Sequence, residues 1–219
     1  MYIGHFAVGL AVKEANPLLP AWPIILGVCI LDLIDGIFLI MNLDHVIPNL
    51  SAGPYLFFDL VFIDWDHSLL MAIFWSVLWG GVFAFWSKKL ALVAGLSVFS
   101  HFLIDLPVHN HDMALYPFAE YHLGFSLWKS WGTWAWIAEG IFSLILIWFS
   151  WIRSVGRGKS FFGPFFLMLA MFIVVSPWFS PMKWAAKLSS PYDQLLLGLI
   201  FICGFLIPAW LFVRHYRKS

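Results

Sequence analysis

Three histidines and two aspartates lie in one short stretch of a sequence that is only 11% charged, at His101, Asp105, His109, His111 and Asp112. His101 and Asp105 are four residues apart, so on a helix their side chains lie one above the other on the same face. Pro107 lacks an N–H and disturbs the helix just beyond them. Imidazole nitrogens and carboxylate oxygens that converge on one point suit a borderline or hard divalent metal ion. The stretch therefore predicts part of a metal site.

The composition indicates an integral membrane protein. The chain has 219 residues, is 62% hydrophobic and has a mean hydropathy of +0.88. A soluble domain is about 45–50% apolar and about 25% charged. The formal net charge is zero, so no nucleic-acid partner is expected. No internal repeat or linker divides the chain, which is treated as one domain of residues 1–219.

The apolar runs predict an all-α fold, a polytopic helix bundle with about six membrane spans. These spans are expected at residues 19–42, 67–87, 89–106, 131–152, 161–182 and 193–213. Residues 2–13 would reach less than about 20 Å as a helix, too little to cross about 30 Å of hydrocarbon, and predict an N-terminal half-helix. Residues 43–66 and 107–130 are expected to be loops. Cys29 and Cys203 fall within spans and are expected to be buried thiols.

Basic residues predict the orientation of the chain. With six spans, three clusters share one side, at Lys88 and Lys89, at Arg153, Arg157 and Lys159, and at Arg214, Arg217 and Lys218. Cytoplasmic loops carry an excess of Lys and Arg, so this side is expected to be cytoplasmic, together with Lys13. Lys183 and Lys187 oppose the bias. The expected location is a bacterial inner membrane, with the metal site facing the outer side.

The predicted spans place several ionisable residues at similar depth. Asp32 lies about 15 Å and Asp35 about 10 Å below the outer surface, and Glu139 lies about 12 Å below it. His101 and Asp105 close the third span on the same side. An ionisable residue within a span costs several kcal/mol unless it is paired or solvated, so each is a functional candidate. The group could form a metal centre, an ion or proton path, or a structural hydrogen-bonded network. By contrast, Asp44, His45 and Asp59 in the first outer loop are expected to be solvated.

The order of these motifs resembles that of a known family. Gly4-His5, Asp32-x-x-Asp35, His67-Ser68-Leu69 and His101-x-x-x-Asp105 recur in this order in the YdjM-like family of membrane-bound metal-dependent hydrolases. The resemblance covers about residues 1–140, whereas the two spans in residues 161–213 add nothing to it. That family is itself similar in motif order to zinc-dependent phospholipase C and the fungal single-strand nucleases.

The resemblance implies a set of ligands. Asp35 or Asp32 would hold the first metal together with His67, His101 and Asp105, and His5 with a bridging Asp105 would serve a second. His109 and His111 are alternatives for the next ligand, and Glu139 is the last. The soluble enzymes place a His four residues before that acid, where this chain has Ala135, and they use a free N-terminus, whereas this sequence starts at Met1. One or two ions are therefore expected, Zn²⁺ first, with Mn²⁺ or Fe²⁺ as alternatives.

The expected function is metal-dependent hydrolysis of a phosphoester in a lipid or lipid-linked substrate at the outer leaflet of the membrane. Whichever of Asp32 and Asp35 is not a ligand would act as the general base. Asp112, Glu120 and His122 are expected to contact the substrate. The phosphoester rests on the resemblance alone. Two alternatives remain open: an ion or proton transporter or channel that uses the same carboxylates, and a non-catalytic membrane assembly factor.

Overall fold

The computed structural model describes residues 1–218 and is mostly helical, with 65% helix and 6% strand. The elements in chain order are α1 (Tyr2–Ala15), α2 (Ala21–Gly27), α3 (Ile30–Ile40), β1 (His45–Pro48), β2 (Phe58–Phe62), α4 (Asp64–His67), α5 (Leu69–Phe83), α6 (Lys88–Asp105), β3 (Met113–Ala114), β4 (His122–Leu123), α7 (Leu127–Trp131), α8 (Thr133–Val155), α9 (Phe162–Val174), α10 (Met182–Ala185) and α11 (Tyr192–Lys218). Helices thus dominate, as the sequence predicts.

Two helices, α8 and α11, are long and apolar enough to cross a membrane. The pair α2 and α3 is bent by 54° at its break and makes a third crossing if both parts form one span. The expectation of six spans is not confirmed by this measure. Helices α5 and α9 have only 15 and 13 residues, and α6 carries two lysines at its start and Asp105 at its end.

Helix α1 lies inside the bundle. It packs against α8, α2 and α6, and the side chains of Phe6 and Leu10 have no exposed surface. A helix that is apolar all round is expected to be buried in this way. Since α1 is surrounded by the other helices, the His5 side chain near its start points into the interior, where it is 1% exposed.

Helix α11 packs closely against α3 and is joined to the start of α1 by a hydrogen bond. A Cβ added at Gly36 of α3 would lie 2.9 Å from the carbonyl oxygen of Gly198, so the two backbones can touch only because both residues lack side chains. Further along α11, Pro208 has no N–H to give to the carbonyl of Gly204, four residues earlier. The hydroxyl of Tyr2 donates to that carbonyl instead, at 2.6 Å. This bond fixes the start of α1 against α11.

Helices α5 and α6 form an antiparallel hairpin. Ser68 caps α5 by accepting from the Met71 N–H at 3.3 Å, and Ser87 caps α6 by accepting from the Leu90 N–H at 3.3 Å. Because the helices pack along their length, the end of α6 returns to the start of α5. The hairpin therefore brings His101 and Asp105 beside His67.

The two long loops contain short strands that the sequence analysis did not predict. Strand β1 pairs antiparallel with β2, and β3 pairs antiparallel with β4. His45 and Asp59 on the first hairpin are exposed as expected. Asp44 is not, since it has no exposed surface, and the expectation of a solvated residue is wrong there. Cys29 is buried, whereas Cys203 is exposed on α11, which corrects the expectation of two buried thiols.

Candidate metal centre

Side chains from separate elements converge at one buried point. Three sets of potential ligand atoms each lie within 4.8 Å of one another: His5, His101 and Asp105; Asp32, His67 and His101; and His67, Asp105 and His109. They come from α1, α3, α4, α6 and the turn after α6. All of them are buried except Asp32, which is partly buried. A metal ion could be held at this point.

Asp105 lies at the middle of the cluster. Its Oδ2 is 3.0 Å from Nε2 of His101, one helical turn earlier, and 3.7 Å from Nε2 of His67, while its Oδ1 is 3.3 Å from Nε2 of His5. A tetrahedral zinc with bonds of about 2.0–2.1 Å separates its ligand atoms by about 3.4 Å. The two oxygens face different histidines, so the carboxylate is placed to bridge two ions. The α-amino group of Met1 also contacts Oδ1.

Asp32 faces the cluster from the opposite helix. Its Oδ2 lies 3.4 Å from Nε2 of His101, and its Oδ1 lies 3.6 Å from Nε2 of His67. Of the two aspartates between which the sequence analysis left the choice open, Asp32 is therefore the one among the histidines. Asp35 is buried to one side, close to Asp66 and His67. Within residues 1–218 its Oδ1 has no hydrogen-bond partner.

Three of the histidines are oriented through their other ring nitrogen. Nδ1 of His67 bonds Asp66 at 2.6 Å, Nδ1 of His101 bonds the Val28 carbonyl at 2.8 Å, and Nδ1 of His109 bonds Asp112 at 2.8 Å. Each acceptor favours the tautomer with the proton on Nδ1 and leaves the Nε2 lone pair toward Asp32 and Asp105. Metal-binding histidines have such an acceptor almost without exception.

The remaining buried nitrogens fit the same interpretation. Nε2 of His101 has no hydrogen-bond partner among the described residues, although Asp105 Oδ2 is 3.0 Å away. Nδ1 of His5 is likewise buried without a partner among residues 1–218. A buried polar group without a partner costs about 1–3 kcal/mol. A metal ion between the His101 nitrogen and the carboxylates would satisfy this nitrogen, so the residues present fit a bound cation.

Other predicted site residues lie outside the ligand cluster. Glu139 is buried but accepts from the Tyr55 hydroxyl at 2.6 Å and from the Gly4 N–H at 3.2 Å. His111 is exposed and does not join the ligand sets in the described part of the chain. Asp112 is placed behind His109 as its hydrogen-bond partner. Glu120 and His122 are exposed in the second loop.

Sequence reasoning missed two buried acids behind His67. The carboxyl of Asp44 adjoins that of Asp66, which in turn bonds His67. Burial raises the pKa of Asp44 to about 7. Burial and the neighbouring Asp44 raise the pKa of Asp66. The position of Asp66 directly before a candidate ligand was the available signal, since ligating histidines are paired with carboxylates so often.

A small cavity opens onto the cluster. Its lining includes the acidic and imidazole side chains of Asp32, Asp35, His67, Asp105 and His109. The other lining residues are largely apolar or aromatic and include Leu60, Ile63, Trp128, Phe201 and Phe205. The Tyr55 side chain also lines this cavity, and its buried hydroxyl has a raised pKa, mainly because of burial. The tyrosine therefore stays protonated at neutral pH and donates its hydrogen bond to Glu139.

Comparison with protein-family models, with curated proteins and with solved structures finds no match to this chain.

Proposed function

We propose that this chain is a membrane-embedded metal-dependent hydrolase that cleaves a phosphoester in a lipid or lipid-linked substrate. The observation that carries the proposal is the set of histidine Nε2 atoms directed at Asp32 and Asp105, with acceptors behind three of the rings. The apolar lining of the adjoining cavity supports a lipid substrate. The choice of a phosphoester continues the resemblance to the YdjM-like family.

In this proposal the chain's own residues have separate roles. His67, His101, Asp32 and Asp105 would hold one ion, and His5 together with Asp105 would hold a second. When bound, Zn²⁺ lowers the pKa of a coordinated water toward 7 and polarises a phosphoryl oxygen. Asp35 lines the cavity beside the ligands and accepts the proton of the attacking water.

We also propose six crossings of the membrane, with the centre toward the outer side. Two groups of contacts support this arrangement. At one end, Arg157 pairs with Glu14, and the Tyr216 hydroxyl donates to Glu14 at 2.8 Å, so the ends of α1, α8 and α11 meet among predicted cytoplasmic basic residues. At the other end, the Gln194 side chain at the start of α11 donates to the Leu39 carbonyl of α3 at 2.8 Å.

Elemental analysis of the purified protein tests the centre. We expect one or two transition-metal ions per chain, most of which are lost in His101→Ala and Asp105→Ala. The control is His45→Ala, which removes an exposed histidine on β1. A wild-type protein without stoichiometric metal, or an Asp105→Ala variant that keeps its metal, would overturn the proposal.

Hydrolysis is tested with lipid phosphates, phospholipids and acyl esters in the presence and absence of a chelator. We expect turnover of a phosphoester that stops with the chelator, returns with Zn²⁺ and is absent in His101→Ala. Chelator-insensitive turnover contradicts the mechanism. Metal or proton flux into liposomes that Asp35→Asn abolishes, without hydrolysis of any substrate, would favour a transporter instead.

A further inference from the structure

A groove between α2 and α11 lies toward the C-terminal end of α11. It is lined by Trp22 and Leu26 of α2 and by one face of α11 from Leu206 to Arg217. Among residues 1–218 it shares no lining residue with the cavity at the metal ligands. Helix α11 is long and apolar enough to cross a membrane, and α2 belongs to the bent pair that makes a further crossing if both parts form one span. Both sides of the groove therefore come from segments that can lie in a bilayer.

The lining of the groove changes from apolar to basic along α11. The lining residues of α11 follow one another at helical spacing, so they form one continuous face. In chain order they are Leu206, Ala209, Trp210, Val213, Arg214 and Arg217. At about 1.5 Å per residue this face is about 16 Å long. A phospholipid changes in the same order, from its hydrocarbon chains through the glycerol region to a charged head.

The two arginines at the basic end of the groove have no acidic partner. Arg214 and Arg217 are exposed, and within residues 1–218 neither of them forms an ion pair. No Asp or Glu of the described residues lines the groove. The guanidinium of Arg214 lies over the ring of Trp210, 5.3 Å from its centroid, which is a cation–π contact. Guanidinium groups bind phosphate oxygens through charge-assisted hydrogen bonds, so this end of the groove is suited to a phosphate.

The charge of the whole molecule favours an anionic partner at this end. Of the 12 Lys and Arg residues, all except Lys129, Lys183 and Lys187 lie on the side that the basic clusters predict to be cytoplasmic. Of the 12 acids, Glu14 is the one on that side, and it is buried and paired with Arg157. A basic residue close to an anionic membrane surface contributes about 1 kcal/mol of attraction. The partner is therefore expected to be negatively charged and to lie in the membrane.

We propose that this groove binds one anionic phospholipid from the leaflet at the C-terminal end of α11. Its phosphate lies at Arg214 and Arg217, and one of its acyl chains lies along Leu206. Trp22 and Trp210 are partly exposed and lie between these two levels, where tryptophan side chains are enriched in membrane proteins. The site is independent of the proposed hydrolase function. A zwitterionic lipid fits the apolar part equally well but gains less from the arginines, so the groove prefers phosphatidylglycerol to phosphatidylcholine.

The charged end is tested with a pair of substitutions and a control of equal charge. Arg214→Gln/Arg217→Gln removes two positive charges from the groove. Arg153→Gln/Lys159→Gln removes two positive charges from the same side of the molecule but outside the groove. The control is matched closely, because the guanidinium of Arg153 also lies over an aromatic ring, 4.9 Å from the centroid of Phe149.

Native mass spectrometry of the purified protein in detergent measures binding of phosphatidylglycerol and phosphatidylcholine added in equal amounts. We expect the wild type to bind one phosphatidylglycerol about 30-fold more tightly than phosphatidylcholine, since each arginine contributes about fivefold. Arg214→Gln/Arg217→Gln should lose this preference, and Arg153→Gln/Lys159→Gln should keep it. Equal affinity for the two lipids in the wild type, or equal losses in the two double variants, would overturn the proposal.

The apolar end is tested separately, so that a lipid can be distinguished from a soluble anion. Leu206→Trp fills the apolar part of the groove and leaves both arginines in place. Its control is Leu199→Trp, which enlarges a leucine of the same helix that is 45% exposed, against 44% for Leu206, and that lies outside the groove. We expect Leu206→Trp to weaken phosphatidylglycerol binding about tenfold, Leu199→Trp to leave it unchanged, and 10-fold excess inorganic phosphate not to displace the lipid. Displacement by phosphate, or full binding in Leu206→Trp, would show that the arginines hold a soluble anion and no lipid.

Discussion

The sharpest test of the candidate centre is the replacement of a residue that supports a ligand without being one. Asp66 has no exposed surface, and its Oδ2 bonds Nδ1 of His67 at 2.6 Å. Asp66→Asn keeps the shape but replaces the carboxyl oxygen that accepts from the Nδ1–H of His67 with an amide, which can present either its oxygen or its NH₂ to the ring. If the amide NH₂ turns toward the ring, it selects the other tautomer, and Nε2 then carries a proton and cannot bind a metal.

The expected magnitude follows from the role of such partners. Loss of the carboxylate that supports a metal-binding histidine weakens metal affinity about 10- to 100-fold, which corresponds to about 1.4–2.7 kcal/mol of binding free energy. The short, fully buried bond of Asp66 places this variant toward the upper end. Asp112→Asn, whose side chain is 10% exposed and bonds His109 at 2.8 Å, should lie toward the lower end.

The same change should not weaken the fold. Burial, together with the adjoining carboxyl of Asp44, raises the pKa of Asp66, so a neutral Asn removes the cost of ionising a buried acid at this position. Zinc affinity is measured by competition with a fluorescent chelator, and the thermal midpoint of the metal-free protein is measured alongside it. Asp59→Asn, which removes an exposed aspartate from the preceding strand β2, is the control. Unchanged zinc affinity in Asp66→Asn, with binding lost in Asp105→Ala, would refute the role assigned to Asp66.

Three further predictions concern stability. Gly124 has a φ of +122°, and a Cβ added there would lie 2.5 Å from the His109 carbonyl oxygen. Gly124→Ala should therefore lower the free energy of unfolding by about 1–3 kcal/mol and weaken metal binding. Full metal retention at an unchanged Tm would contradict this. The folded-state pKa of Asp44 is raised from 3.8 to about 7, so its contribution to stability is present at low pH and lost as the pH rises through this interval. Asp44→Asn should therefore gain on the wild type from about pH 4 to about pH 7, by at most about 1.4 kcal/mol per pH unit, and a pH-independent difference in Tm would be evidence against it. Removal of metal by a chelator should lower the Tm, because a metal ion at one hundred times its Kd stabilises the folded protein by about 2.7 kcal/mol. An unchanged Tm argues against metal binding.

Two features of the cluster could be predicted from the sequence: the spacing of residues within one helix, and the depth of each residue in the membrane. His101 and Asp105 are one helical turn apart in any helix, and the structure places their reactive atoms 3.0 Å apart. Asp32 and His67 follow from the lengths of the spans, because their separate helices end on the same side. The choice between Asp32 and Asp35 depends on the rotation of α3 against α11, which the contact between Gly36 and Gly198 fixes. No local signal in the sequence reports that rotation.

The loops and the shorter helices could not be predicted in the same way. Asp44 and His45 are neighbours in one loop, yet Asp44 is buried and His45 is exposed, because β1 pairs with β2 and turns Asp44 toward Asp66. This pairing is a tertiary event between short strands. Helix α9 was expected to continue to residue 182 because the chain stays apolar, whereas it ends at Val174 and a turn follows. Hydropathy measures the environment of a segment but not its backbone conformation.

The charge balance of the centre bears on what it can bind. Five buried or nearly buried acids surround the cavity or adjoin it: Asp32, Asp35, Asp66, Asp105 and Glu139. Within residues 1–218, the α-amino group of Met1 is the one Lys, Arg or α-amino cation that forms an ion pair with any of these five acids. The balance has to come from protons or from metal cations, because unpaired charges inside a membrane protein cost several kcal/mol each. Nε2 of His101 lies 3.0 Å from Oδ2 of Asp105, a distance that suits either a shared proton or a metal ion held by both groups. A divalent ion balances two carboxylates where a proton balances one, so the excess of acids over basic partners favours a metal, and metal analysis of the purified protein distinguishes the two.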